Sequence, residues 1–267
     1  FYKEALTWQF LRHSNILPMR GVLKLQGRPH FAMVSEWMKN GNIRSFVVAH
    51  RNADRYKLLT DVARGLVYMH SRGFIHGDLK GVNILVDSKP NAYIADFGLL
   101  DDSTTASSSG RGGTPRWMSP ELIDPELFGI VNGRRAEPSD CYALGMVMYE
   151  VLSGCVPFDP QLKDYHIRIK ILRGERPERP QGAAGRWFTD EIWDLLELCW
   201  KHEPSDRPSA RNIRKSLRVA SKSWTPSSSP FTTSQQVAGL PGGNSFDLSV
   251  VSVAEVQIHP RISPQSL

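Results

Sequence analysis

The stretch FIHGDLKGVNIL, residues 74–85, decides how the rest of the chain is read. Asp78 and Asn83 stand five positions apart with Lys80 between them. A carboxylate, an ammonium and an amide at this spacing suit a loop that orients a hydroxyl and holds a metal beside a phosphate.

Immediately downstream, ILV (84–86) and AYIA (92–95) flank the turn DSKPN (87–91) and read as a β-hairpin. Asn83 lies just before the first strand and Asp96 just after the second, so antiparallel pairing returns both side chains to one end of the hairpin. Two oxygen donors then face one point, which suits Mg²⁺, a cation that takes only one or two ligands from protein. Asp78 is placed to accept a proton from an incoming hydroxyl, and Lys80 to neutralise charge on a transferred phosphoryl group. Gathering four such groups serves stability poorly, which favours a functional reading over a structural one.

A chain of 267 residues can bury a core shared by one large domain or two lobes. Its formal charge of +6, from 33 basic and 27 acidic residues, is spread along the sequence, so neither a nucleic-acid nor a membrane partner is expected. Cys141, Cys155 and Cys199 show no metal-ligand spacing and, being odd in number, no disulfide framework. The longest apolar run, 142–152, is broken by Glu150 and too short to span a bilayer, and no signal peptide opens the chain. The expectation is a soluble protein of the cytoplasm.

Apolar spacing predicts helices over 1–12, 56–70, 140–152, 164–172, 189–200 and 210–219. NILPMRGVLKLQG and HFAMVSEW read as two strands joined by a turn at 27–29, with KNGN (39–42) as a loop. The Ser-, Thr- and Gly-rich stretch 101–113 reads as a mobile loop, and 220–267 as a disordered Ser/Thr/Pro-rich tail. Within the tail, FDLSVVSVAEVQI (246–258) reads as a short strand or a partner-binding segment.

From residue 1 to about 219 the chain resembles the eukaryotic protein kinases, with HGDLKGVN as catalytic loop, DFG (96–98) as metal-binding motif and SPE (119–121) closing the activation segment. The resemblance implies an α+β two-lobe fold: 1–38 as a remnant of the small lobe (one helix, two strands, a hinge), and 39–219 as a mostly helical large lobe. The family's Gly-rich loop and ATP-anchoring Lys would precede Phe1 and do not occur in this sequence, so the small lobe is expected to be incomplete, its first strands absent.

What the resemblance assigns goes further. Glu4 would pair with the ATP-anchoring Lys, Ser35 would be the gatekeeper, Glu36 and Met38 would face adenine through their backbone, and Leu85 would floor the pocket. Thr114 would bridge Asp78 and Lys80, Asp140 would brace the catalytic loop, and Arg207 would partner the buried Glu121. Trp8, Met19, His76 and Phe97 would form the stack coupling the lobes, although ordinary core packing explains them equally well. His76 is expected to serve packing and hydrogen bonding. Gly77 replaces an Arg that normally reads an activation-loop phosphate, which weakens a regulatory role for the hydroxyls at 103–109.

Lys80 and GTPRWMSPE resemble the Ser/Thr kinases, and the hinge EWMKNGN and LCWKHEPSDRPS are similar to the tyrosine-kinase-like group, whose members are mostly Ser/Thr specific. Expected are ATP and Mg²⁺ as cofactors and a protein Ser or Thr as acceptor, with possible partner binding by the tail. Two alternatives stay open: a catalytically impaired pseudokinase scaffold, and a small-molecule phosphotransferase, against which Lys80, Thr114, Glu121 and Arg207 argue.

Overall fold

Helix α1 (Tyr2–Phe10) turns Ala5 and Trp8 inward, and the Trp8 indole N–H donates to the Leu17 carbonyl at 2.5 Å. Beside it, β1 (Met19–Lys24) and β2 (Phe31–Ser35) pair antiparallel, with an irregularity between Met19 and Gly21. The computed structural model describes residues 2–24, 31–96, 101–102, 114–130 and 135–223; the turn expected at 27–29 lies outside them. The residues just before β1, expected to extend that strand, instead bond across to the hairpin that follows the catalytic loop. Leu17 N–H donates to the Ile94 carbonyl at 2.9 Å, and Ile94 N–H to the Asn15 carbonyl at 3.0 Å.

After β2 the chain passes through 36–42 to a helix that the periodicity of the sequence does not announce, α2 (Ile43–Ala49). Asn42 caps it by accepting from Ser45 N–H at 2.9 Å, satisfying one of the orphan donors of the first turn. Ile43, Phe46 and Val47 then face the core. Its shortness hides it: seven residues offer too few turns for a period to stand out.

The best-marked helix, α3 (Arg55–Ser71), extends one residue beyond each expected end. Leu58, Leu59, Val62, Ala63, Leu66 and Met69 are all buried. It leads to β3 (Phe74–Ile75), the catalytic loop with its 3₁₀ turn at Gly81–Asn83, and the hairpin β4 (Ile84–Val86) and β5 (Ala92–Ile94). Strand β6 (Asp101–Asp102) pairs antiparallel with β3, so two residues of the expected polar loop belong to a sheet. The rest of that loop, 103–113, lies outside the described residues, as does Phe97.

The large lobe continues with α4 (Pro120–Ile123), α5 (Glu137–Ser153), α6 (Asp164–Leu172), α7 (Gly182–Gly185), α8 (Asp190–Cys199) and α9 (Ala210–Ser223). α5 is apolar on nearly every side and runs through the middle of the core, against α3, α8 and the turn at Pro115–Trp117. α9 lies along α3 and passes the boundary set after Val219, reaching Ser223; residues 224–267 lie outside the described part. Cys141 and Cys199 are buried thiols and Cys155 is exposed; all three are free. No described helix is long and apolar enough to cross a membrane.

Candidate active site

Buried carboxylates on α5 hold the backbone of the loop that carries Asp78, Lys80 and Asn83. Asp140, fully buried at the start of α5, accepts from His76 N–H at 2.8 Å and His70 Nε2 at 2.9 Å through one oxygen, and from Gly77 N–H at 2.9 Å through the other. Burial pushes this carboxyl up, but the His70 hydrogen bond, the neighbouring His70 and His76 imidazoles and the Gly77 N–H outweigh it and hold it below its ordinary value. Gly77 itself sits at φ +78°, in the left-handed region that an L side chain enters only with strain. The residue that departs from the family pattern is therefore the one best suited to this backbone.

His76 is fully buried; its Nδ1 accepts from Asp78 N–H at 3.2 Å and its Nε2 donates to the Ala95 carbonyl at 3.1 Å. Those two bonds assign the proton to Nε2. The imidazole so joins the catalytic loop to the residue preceding Asp96.

The loop side chains converge. Asp78 Oδ2 takes Lys80 Nζ at 2.5 Å, and Asp78 Oδ1 lies 3.3 Å from Thr114 N and 3.4 Å from Thr114 Oγ1. Lys80 Nζ also donates to Thr114 Oγ1 at 2.9 Å, closing a ring of three residues. Asn83 Nδ2 donates to the Asp78 carbonyl at 3.0 Å, which leaves its Oδ1 as an acceptor on the other side. The Asp78 and Lys80 side chains remain 13% and 18% exposed, enough for contact with a substrate.

Pairing of Ile84 with Ile94 in the hairpin, together with Ala95 N–H donating to the Asn83 carbonyl at 2.8 Å, brings Asp96 alongside Asn83. Asp96 has φ +61°, an uncommon conformation for a non-glycine residue and one that clusters at functional sites. Its charge reaches Glu4 on α1: burial first, and Asp96 second, raise the Glu4 carboxyl above its ordinary value. Asn83 Oδ1 and the Asp96 carboxylate are hard oxygen donors, two in number, and this donor set fits Mg²⁺.

Of the hinge residues, Ser35 ends β2, and the Glu36 side chain turns outward to Arg20 at 2.7 Å with both partners more than half exposed. Met38 is buried in the core, while Leu85 is half-buried on β4 opposite Tyr93. The hinge is bonded directly to the hairpin: Asn40 N–H donates to the Val86 carbonyl at 3.2 Å, and Val86 N–H to the Gly41 carbonyl at 2.9 Å. Arg207 and Glu121 form a two-pronged ion pair, 2.7 Å on each prong, beneath the segment that begins at Thr114.

One residue outside the expected set belongs to this assembly. Glu150, wholly buried on α5, accepts from Gly81 N–H at 2.9 Å and Trp117 Nε1 at 3.1 Å through the same oxygen, tying the catalytic loop to the turn after Thr114. A Cβ at position 81 would stand 2.7 Å from this carboxylate, so a larger residue there would have to displace the Glu150 side chain. Burial raises the Glu150 carboxyl, against the Gly81 and Trp117 donors and the Arg44 and Lys80 charges. The signal was present as a lone carboxylate inside an apolar helical run, which must find partners when buried.

Fold and site together define a protein-kinase domain: a helical large lobe carrying a loop of Asp, Lys and Asn, with a helix and a strand pair standing above it. The family model described as protein tyrosine and serine/threonine kinase matches residues 1–217, and the chain belongs to that family. It is 31% identical over 239 residues to the tyrosine-protein kinase Btk of Drosophila melanogaster, covering 84% of this chain and 28% of that protein. The serine/threonine-protein kinase CTR1 of Arabidopsis thaliana is 32% identical over 243 residues, covering 85% of this chain and 27% of that protein. Human receptor-interacting serine/threonine-protein kinase 1 is 27% identical over 234 residues, with 81% and 34% covered. The chain thus spans between a quarter and about a third of the length of these relatives.

Proposed function

We propose that this domain transfers the ATP γ-phosphate to a Ser or Thr hydroxyl of a protein, with 1–38 in the small lobe and 39–219 as the core of the large lobe. The observation that carries the reading is the Asp78–Lys80–Thr114 ring, with Asn83 bonded to its Asp78 corner. Asp78 orients the incoming hydroxyl and takes its proton on a carboxylate oxygen. Lys80 holds positive charge toward the transferred group while Asp78 and Thr114 fix its direction, so little reorganisation is needed at the moment of transfer. Asn83 Oδ1 and Asp96 would hold Mg²⁺, which when bound neutralises phosphate charge. Ser35, the backbone of Glu36 and Met38, and Leu85 would border the adenine, and Glu4 would face the phosphate-anchoring cation.

Ser/Thr selectivity rests on Lys80 and its Thr114 partner, and the relatives in hand include kinases named for both acceptor types. The test is transfer of labelled phosphate from ATP to a generic protein, followed by phosphoamino-acid identification. Label on Ser and Thr, reduced about 10²- to 10⁴-fold in kcat by Asp78→Asn, is the expected result. Label on Tyr alone would overturn the selectivity, and label confined to small alcohols would overturn the acceptor class.

A second reading, a scaffold without phosphotransfer, draws on Glu4. Its carboxyl is raised by burial first and by the charge of Asp96 second. On this reading Mg·ATP binding is weak. A thermal-shift titration with ordinary kinase affinity would remove this reading; no shift together with no labelled product would establish it over the first.

A further inference from the structure

Far from the catalytic loop, the large lobe carries a groove of about 870 Å³ between the start of α3, the start of α8 and one side of α9. Its volume falls in the range of about 300–1,000 Å³ common for binding sites. The floor is apolar, made by Tyr56, Ile192 and Ala220, and Val219 stands at its edge 62% exposed. Arg186 and Lys215 border it with positive charge, and Glu191 supplies one negative group. α9 as a whole carries Arg211, Arg214, Lys215, Arg218 and Lys222 and no acidic residue.

The chain leaves the described structure at this groove, since Ser223, the last residue of α9, is one of its lining residues. After 22 intervening residues begins 246–258, FDLSVVSVAEVQI, with Phe246, Leu248, Val250, Val251, Val253, Val256 and Ile258 as apolar members. Its charged residues are Asp247 and Glu255, both acidic, opposite in sign to α9.

We propose that residues 246–258 dock in cis into the groove between α3, α8 and α9, their apolar side chains against Tyr56, Ile192 and Val219 and their acidic residues toward the basic side of α9. The geometry allows it. The intervening segment is mostly Ser, Thr, Gln, Gly and Pro, and for a flexible chain of that length the r.m.s. span is about 26 Å, enough to return from Ser223 to a groove that begins there. Tethering of this kind corresponds to an effective concentration of about 1 mM, so even a contact with an intrinsic Kd of about 0.1 mM is occupied about ten-fold over its open form.

Hydrogen exchange on the whole 267-residue chain tests this without reference to phosphotransfer. The comparison is the native chain against two variants: Val250→Asp/Val251→Asp/Val253→Asp in the segment, and Val219→Asp in the groove, a position already exposed and so not needed for folding. Amides of 189–193 and 215–223 are expected to exchange about ten-fold more slowly in the native chain than in either variant, equally at low and high protein concentration. Equal exchange in all three overturns the proposal. Protection that grows with protein concentration also overturns it, because a second copy is then the occupant.

Discussion

Replacing Arg207 by Leu removes the cation from a fully enclosed site. The Arg207 and Glu121 side chains are 0% and 5% exposed. Beyond the two prongs to Glu121, Arg207 donates to the carbonyls of Lys201 at 2.9 Å, His202 at 3.0 Å and Pro138 at 3.1 Å, and its guanidinium lies 5.0 Å from the Tyr142 ring centre. All five N–H groups are engaged, so the substitution strands a buried carboxylate and three carbonyls together. Breaking a buried pair in this way costs about 3–5 kcal/mol. For a domain of this size that corresponds to a fall in Tm of about 6–20 °C. Urea unfolding at 25 °C reads the free energy directly, and Arg207→Leu/Glu121→Leu completes the cycle. The double variant is expected to be more stable than the two single losses added together, because the stranded charge is gone. A single-variant shift under about 3 °C, or strict additivity, would refute the argument that desolvated charge dominates here.

Gly77→Arg restores the family residue at a position with φ +78°, and is expected to cost about 1–2 kcal/mol through backbone strain alone, visible as a lower Tm. Asp140 supplies a pH dependence whose direction follows from its lowered folded value. Its contribution is fully present above the unfolded carboxyl value near 4 and is lost as pH falls through the lower folded value. Asp140→Asn never has that contribution, so the stability gap between native and variant, measured by unfolding at a series of pH values, should narrow from about pH 5 downward. A gap that widens on acidification would contradict the assignment.

The convergence of the candidate site residues was legible in the chain because its geometry is local. Asp78, Lys80 and Asn83 share one short loop, and a five-residue turn between strands suffices to bring Asp96 beside Asn83; Asp87 holds that turn by accepting from Lys89 N–H and Asn91 N–H at 2.9 and 2.8 Å. The long helices were legible for a related reason: α3 and α8 bury one face, so their period is written in the residue order.

What the sequence by itself determined, then, is which polar side chains share one loop and hairpin, and the elements that carry them. Tertiary structure alone decided how those elements are locked together. Residues 15–17 bond to Ile94 and not along β1, Asp140 takes His70 as well as the loop it was expected to brace, and Glu150 joins Gly81 to Trp117. Each of these depends on which distant donor lies nearest a buried acceptor. Residue order sets the supply of donors and acceptors, but only packing brings a particular pair within 3 Å.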